Sequence, residues 1–226
     1  MAFNTAKNIL VGASPLYLST KDSTDNAYVE NMLDGASGGV ALVKGVPATT
    51  TLASNATKFR NVGYTNNGLQ ITYNPTYGSV TVDQLLDTAK LFKETMEVMI
   101  ATEMAEGTLE NVLAVFGQPT NTLNGTLTKG ATAADNVDST LGLAAGALGI
   151  APVERQLIAV GQAPTTVSTD TERVYYARRV LSVQQSQFSL ARNNPTTFPV
   201  TFRLLPDANY SGAEYGKIID RVNGNA

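Results

Sequence analysis

Two carboxylate pairs, Glu94/Glu97 and Glu103/Glu106, are the first groups in this chain whose types and spacing could do chemistry. General acid–base catalysis needs two such groups converging on one cleft. An i, i+3 spacing gathers them on a helix but sends them to opposite faces of a strand. The plainer reading is a solvated face. Asp22, Asp25 and Asn26 have the rhythm of a calcium loop. Yet Ala27 stands where the sharp turn needs Gly, and Leu33 where a bidentate Glu belongs. Gly35, Gly38 and Gly39 make a glycine-rich turn without the Lys and helix start of a phosphate loop. Arg173, Arg178 and Arg179 are the nearest thing to a basic cluster. Strand alternation puts Arg178 and Arg179 on opposite faces, so these arginines read as single ion pairs, within or between subunits.

Composition narrows the chemistry further. The 226 residues contain no His and no Cys. This excludes Ser–His hydrolysis, thiol nucleophiles, disulfides and thiolate zinc sites. No catalytic activity, metal or cofactor is expected. Only 15% of residues are charged and the net charge is −3, which leaves no basic footprint for gripping nucleic acid. Thr (28) and Asn (18) supply the polar surface instead, which favours strands and turns. The apolar stretch 141–153, broken by three glycines and Pro152, is too short for the ~20 residues of a bilayer span. No membrane anchor is expected.

The elements that must position these groups read as strands and long loops within one domain, 1–226. Residues 8–19 read as a strand, with Pro15 marking an edge or bulge. Residues 20–58, dense in Asp, Asn, Gly and Pro, form a connection too long for a compact domain to carry without a task. They read as a long arm or loop that orders against a partner, with a short strand at 40–43. Over 59–83, Val62 and Tyr64 lead into Asn66-Asn67-Gly68, and Leu69, Ile71 and Tyr73 alternate with polar residues. Asn-Gly supplies the positive φ values of a tight hairpin. A second turn at Asn74-Pro75-Thr76-Tyr77-Gly78 completes a predicted three-stranded meander. Over 84–105, Leu85, Ala89, Phe92, Met96 and Met99 recur at helical spacing, while Met96, Val98 and Ile100 also alternate. Propensity tips this segment to helix. A second helix is predicted over 107–116, capped by Thr108 and stopped by Gly117 and Pro119. Residues 118–152 read as an insertion or long loop, with a short Ala/Leu helix at 141–148. Strands return at 153–160, 173–183 and 198–204, and 215–219 reads as a short closing strand or turn.

Three blocks, taken in order, resemble a known family. The first runs from Val62-Gly63-Tyr64 through Gly68, Ile71-Thr72-Tyr73, Tyr77-Gly78 and Val80-Thr81-Val82-Asp83 to Ala105-Glu106-Gly107-Thr108-Leu109-Glu110-Asn111. The second is the opening strand over 8–19. The third joins Phe198-Pro199-Val200-Thr201-Phe202 to Tyr215-Gly216-Lys217-Ile218. Together they resemble the major tail tube proteins of long, non-contractile bacteriophage tails. Gly107 stands where that family often has Ala.

The resemblance implies a mainly β fold: two packed antiparallel sheets forming a β-sandwich or barrel with one flanking α-helix, plus long loops. It turns 93–105 from helix to strand. It also implies rings, usually of six copies, stacked into a hollow tube. Residues 20–58 are the candidate ring-to-ring arm, and deleting 22–56 should leave folded subunits that fail to stack. Implied partners are further copies of the chain, a tape measure protein, a tail terminator and distal tail or baseplate proteins. The implied location is the virion, after synthesis in a bacterial host cytoplasm. DNA would transit the lumen without specific binding, so an acidic or neutral wall is expected. Asp83 and Glu97 are the candidate lumen-facing residues. The alternatives are the inner tube of a contractile system, a neck or capsid protein, or a β-sandwich carbohydrate-binding or adhesin module. That last module would use Tyr73, Tyr77 and Tyr210 as sugar platforms.

Overall fold

The computed structural model describes residues 10, 12–34, 38–85, 87–129, 132, 136–146, 148–149, 151–164, 170–190 and 192–223. In chain order its strands are β1 (Leu16–Ser19), β2 (Phe59–Asn61), β3 (Thr65–Val80), β4 (Lys90–Met104) and β5 (Leu123–Asn124). They continue as β6 (Thr140–Leu141), β7 (Arg155–Gln162), β8 (Thr171–Ser182), β9 (Phe198–Leu204) and β10 (Gly216–Val222). Two α-helices, α1 (Ala48–Ser54) and α2 (Leu109–Val115), accompany them.

Eight strands form one antiparallel ladder in the order β2-β1-β7-β8-β9-β4-β3, with β10 attached to β8. β8 is the fork. Its residues 171–177 pair with β10 and its residues 180–182 pair with β9. The ladder folds over at this point, so β9 and β4 stack on β1, β7 and β8. Leu18, Ile100, Leu157, Val180 and Phe202 fill the layer between them. The result is a mainly β sandwich with flanking helix, not closed into a barrel. α2 seals one end with Ala114 and Val115. Its signals are local and act as expected: Thr108 Oγ1 accepts the Asn111 N–H, and Gly117 ends the helix at φ 63°.

β1 is buried throughout and β7 nearly so, because both of their faces are covered. The second cover is the 20–58 segment. Met32, Val40, Ala48 and Leu52 pack on Tyr17, Ile158, Val160, Val174 and Tyr176. The segment therefore lies as a strap on its own sheet. Its polar ties are buried as well. The Gln156 side chain accepts the Met32 N–H at 2.9 Å and donates to the Val29 carbonyl at 2.6 Å. Asp34 is ion-paired to both Arg178 and Lys217. Glu172 accepts the Ala48 N–H at 2.9 Å, at the start of α1, a helix the sequence pattern did not announce.

Several local expectations fail for tertiary reasons. Asn67 and Gly68 do take positive φ, 59° and 69°, but the chain does not reverse. Asn66 pairs with Glu103 and Gln70 with Ala101, so residues 67–69 bulge opposite Thr102 alone. Thr102 Oγ1 donates to the Gly68 carbonyl at 2.9 Å and holds the bulge shut. The Asn74–Gly78 turn is also absent. Pro75 continues β3, which tolerates it as an edge strand. Residues 90–104 form β4, not the helix of the spacing pattern, because β3 and β9 offer pairing partners on its two edges. Residues 40–43 form no strand. Leu141 belongs to β6, and the described residues of 142–149 form no helix. The opening strand is confined to β1, and residues 8, 9 and 11 lie outside the described set.

Gly216 starts β10 at φ 146°, and a Cβ there would collide with the Tyr176 carbonyl oxygen. Gly216→Ala is expected to lose about 2–3 kcal/mol, from backbone strain and the forced retreat of β10 from β8. Chemical denaturation checks this. A loss below about 0.5 kcal/mol, the level of a neutral surface change, would show that the fork relaxes freely.

Candidate functional site

β9 pairs with β4 only over residues 99–104. Beyond that, β3 and β4 have only each other, and their pairing runs on to Val80 and Lys90. They leave the sandwich as a two-stranded ribbon. A second irregularity, between Thr76 and Tyr77, sets Glu94 as an extra residue in β4.

The ribbon is two-faced. One face carries Ile71, Tyr73 and Pro75, opposite Ile100, Val98 and Met96. This face begins in the core, where Ile100 is buried, and runs outward until Tyr73 is 62% exposed. The tip beyond it exposes Val80, Val82, Leu85 and Leu91. The other face carries Thr72, Asn74 and Thr76, opposite Met99, Glu97 and Thr95. Thr201 and Arg203 of β9 extend this polar face across the sheet.

Glu97 stands on the polar face, 3.7 Å from Arg203 in an ion pair. Asp83 lies past the end of β3, in the turn that closes the ribbon, so the two lumen candidates are not brought together. The carboxylate pairs do not converge either. Glu103 accepts from Asn66 Nδ2 at 3.1 Å, and Glu106 from the Tyr64 N–H at 3.0 Å.

The remaining candidates are absorbed by the fold. Asp22 is fully buried against Arg155, and Asp25 pairs with Lys21 at 2.8 Å. Residues 35–37 of the glycine-rich turn lie outside the described set. Arg173 pairs with Asp220 and Arg179 with Glu154 as single ion pairs within the chain, whereas Arg178 shares Asp34 with Lys217 in a three-membered cluster. The hydrogen bond to Asp220 holds the Arg173 guanidinium above its ordinary pKa. The three tyrosines form no common platform. Tyr73 and Tyr77 lie on the ribbon, with the Lys93 ammonium 5.8 Å from the Tyr73 ring centre. Tyr210 lies under the Arg178 guanidinium, 3.7 Å from it.

One feature of the site had no signal in the sequence. The fork at β8 leaves an open cleft of about 370 Å³ between the ribbon base and β10. Ile71, Tyr73 and Val98 form one wall, and Tyr215 and Ile218 the other. Ile218 is 64% exposed although it sits in a paired strand. We call this cleft the sandwich mouth.

Strap and mouth meet at the 207–217 segment. Asp207 accepts from Asn31 Nδ2 at 2.9 Å and from the Asn209 N–H at 3.0 Å. These bonds, with Arg179 and Arg178 nearby, hold its carboxyl below the ordinary range. A depressed carboxyl stabilises the fold above its unfolded pKa and loses that contribution as pH falls through the folded value. The thermal midpoint is therefore expected to fall on acidification from about pH 5 to about pH 2. Asp207→Asn should flatten that slope, and an unchanged slope in the variant would sink the assignment.

Among the described residues, no helix is long and apolar enough to cross a membrane. No protein-family model matches the chain, and no curated protein is similar to it in sequence.

Proposed function

We propose that this protein is a structural subunit that assembles with copies of itself into stacked rings, forming the hollow tail tube of a bacteriophage through which DNA passes. The observation that carries the reading is the β3–β4 ribbon. A two-stranded ribbon standing alone in water is marginally stable, so a long one needs a surface to cover it. This ribbon is apolar along one face and at its tip. Its outer edge, on β3, is a long row of unpaired backbone groups interrupted by one proline, with none of the lysines that blunt a lone edge. Such an edge invites another chain.

The opposite face suits a conduit. It is built mainly from Thr, Asn and Gln, with Met99 and Phe92, and its charges are Glu97, Glu103, the ion-paired Arg203 and, toward the tip, Lys90. A wall of that kind offers phosphates no cluster of cations to bind. Glu97 is the residue this reading places toward DNA, and Asp83 belongs instead to the contact-making tip. The sequence resemblance supplies the phage setting, the sixfold ring and the tape measure, terminator and baseplate partners. The reading assigns no catalysis.

Negative-stain electron microscopy of the purified protein over a range of concentrations tests it. Hollow tubes or stacked rings of uniform width are expected. Closed shells or single rings would favour a capsid or neck role. A monomer that binds glycans would favour the carbohydrate-binding module.

A further inference from the structure

We infer that the sandwich mouth of one copy receives the apolar ribbon tip of a second copy. This rests on the self-assembly reading and adds to it the two surfaces that meet. The mouth is apolar, and its walls expose Ile71, Tyr73 and Ile218. The tip presents Val82, Leu85 and Leu91, with Leu91 64% exposed. The tip and the ribbon wall of the mouth lie at opposite ends of one paired ribbon and cannot meet within one chain. β3 and β4 stay paired from the base to Val80, and nine residue steps separate Ile71 from Val80. At ~3.3 Å per step the tip stands about 30 Å from its own mouth.

Charge agrees with this occupant. The charged side chain lining the mouth is Lys217. It holds Asp34 at 2.5 Å, but an ammonium has three donors and the side chain is a third exposed. The closing turn of the ribbon carries Asp83 and Asp87, both exposed, against one exposed cation, Lys90, where β4 begins. An inserted tip would bring a carboxylate to an ammonium while burying aliphatic side chains against Ile218 and Tyr73. Tip and mouth are different patches, so the contact is heterologous: each engaged pair leaves one tip and one mouth free. Such contacts close into rings or continue as filaments.

Complementation tests the pairing. Leu91→Asp spoils the tip and leaves the mouth intact; Ile218→Asp does the reverse. Both residues are exposed, so circular dichroism should show the unaltered fold. Each variant alone is expected to self-associate about a hundredfold more weakly than the parent. Mixed in equal amounts, they should recover in sedimentation velocity an association that neither shows alone, with dimers as the first species, joined by the one intact tip–mouth contact. A mixture that stays monomeric, or tubes formed by either variant alone, overturns the inference. Tubes from the parent and from both variants would leave the self-assembly reading standing while removing this contact. A parent that stays monomeric throughout, with no dimer from the mixture, would remove both.

Discussion

Asp22→Ala is expected to destabilise the fold by about 3–5 kcal/mol, the range for breaking a buried ion pair by removing one partner. Asp22 is fully buried. Its carboxylate accepts from Arg155 Nη2 at 3.1 Å, from the Thr24 N–H at 2.9 Å and from the Thr120 N–H at 2.5 Å. One side chain thus joins the start of the strap, β7 and the exit from α2. Without it, the Arg155 guanidinium, 5% exposed, keeps only the Gln118 carbonyl at 3.1 Å and the distant Ser19 carbonyl. Burial already lowers the pKa of Arg155, and Asp22 is the charge that opposes this. The variant would strand a cation in the protein interior.

The double variant Asp22→Leu/Arg155→Met separates this penalty from the worth of the pair. Replacing both charges with apolar groups is often near neutral, so most of the loss should return. Urea midpoints of the parent, Asp22→Leu, Arg155→Met and the double variant close the cycle. A single-variant loss below about 1 kcal/mol would mean that water reaches Arg155 and the pair acts as a surface one.

How much of this was legible depended on how far apart the deciding residues lie. The helix α2 was readable because Thr108, Gly117 and Pro119 act within one or two turns of it. The strands β8 and β9 were readable from alternation, because one layer of the sandwich takes every second side chain. The Asn67-Gly68 pair was half legible. The positive φ values follow from those two residues, but whether they make a hairpin or a bulge depends on β4, thirty residues on. The helical spacing over 84–105 was a coincidence of Met and Leu positions. No window of that length contains β9, whose pairing fixes β4 as a strand.

The site itself was the least legible part. Ile218 reads as an ordinary strand residue, and only the fork of β8 exposes it. Asp22 and Arg155 are separated by 133 positions, so their pairing had no local trace. The long polar segment 20–58 carried its apolar side chains without a common period. Ala48 and Leu52 are four apart and share one face of α1, but Met32 and Val40 follow neither a helix nor a strand period, because the surface they match is the far side of another sheet.

That fit makes deletion of residues 22–56 the most damaging change we predict. As a separable arm, the segment could be removed to leave a folded subunit that fails to stack. As a strap it cannot. Met32, Val40, Ala48 and Leu52 are each at most 2% exposed, and their loss uncovers Tyr17, Ile158, Val160, Val174 and Tyr176. Burial of large apolar side chains contributes about 1.5–3 kcal/mol each. The lost strap residues and the uncovered sheet face together reach the ~5–15 kcal/mol stability of a whole domain. The deletion also leaves Gln156, Arg155, Arg178 and Glu172 without the strap partners they now hold. We expect the deletion, closed by a short Gly/Ser linker, to yield insoluble or molten protein without near-ultraviolet tyrosine dichroism or a cooperative unfolding transition. Removing 82–88 from the ribbon tip should instead leave the thermal midpoint nearly unchanged, since the described residues there are all exposed. A soluble strap deletion that unfolds cooperatively would reverse the argument. It would show that the sheet face tolerates water, and would return residues 20–58 to the role of an arm between rings.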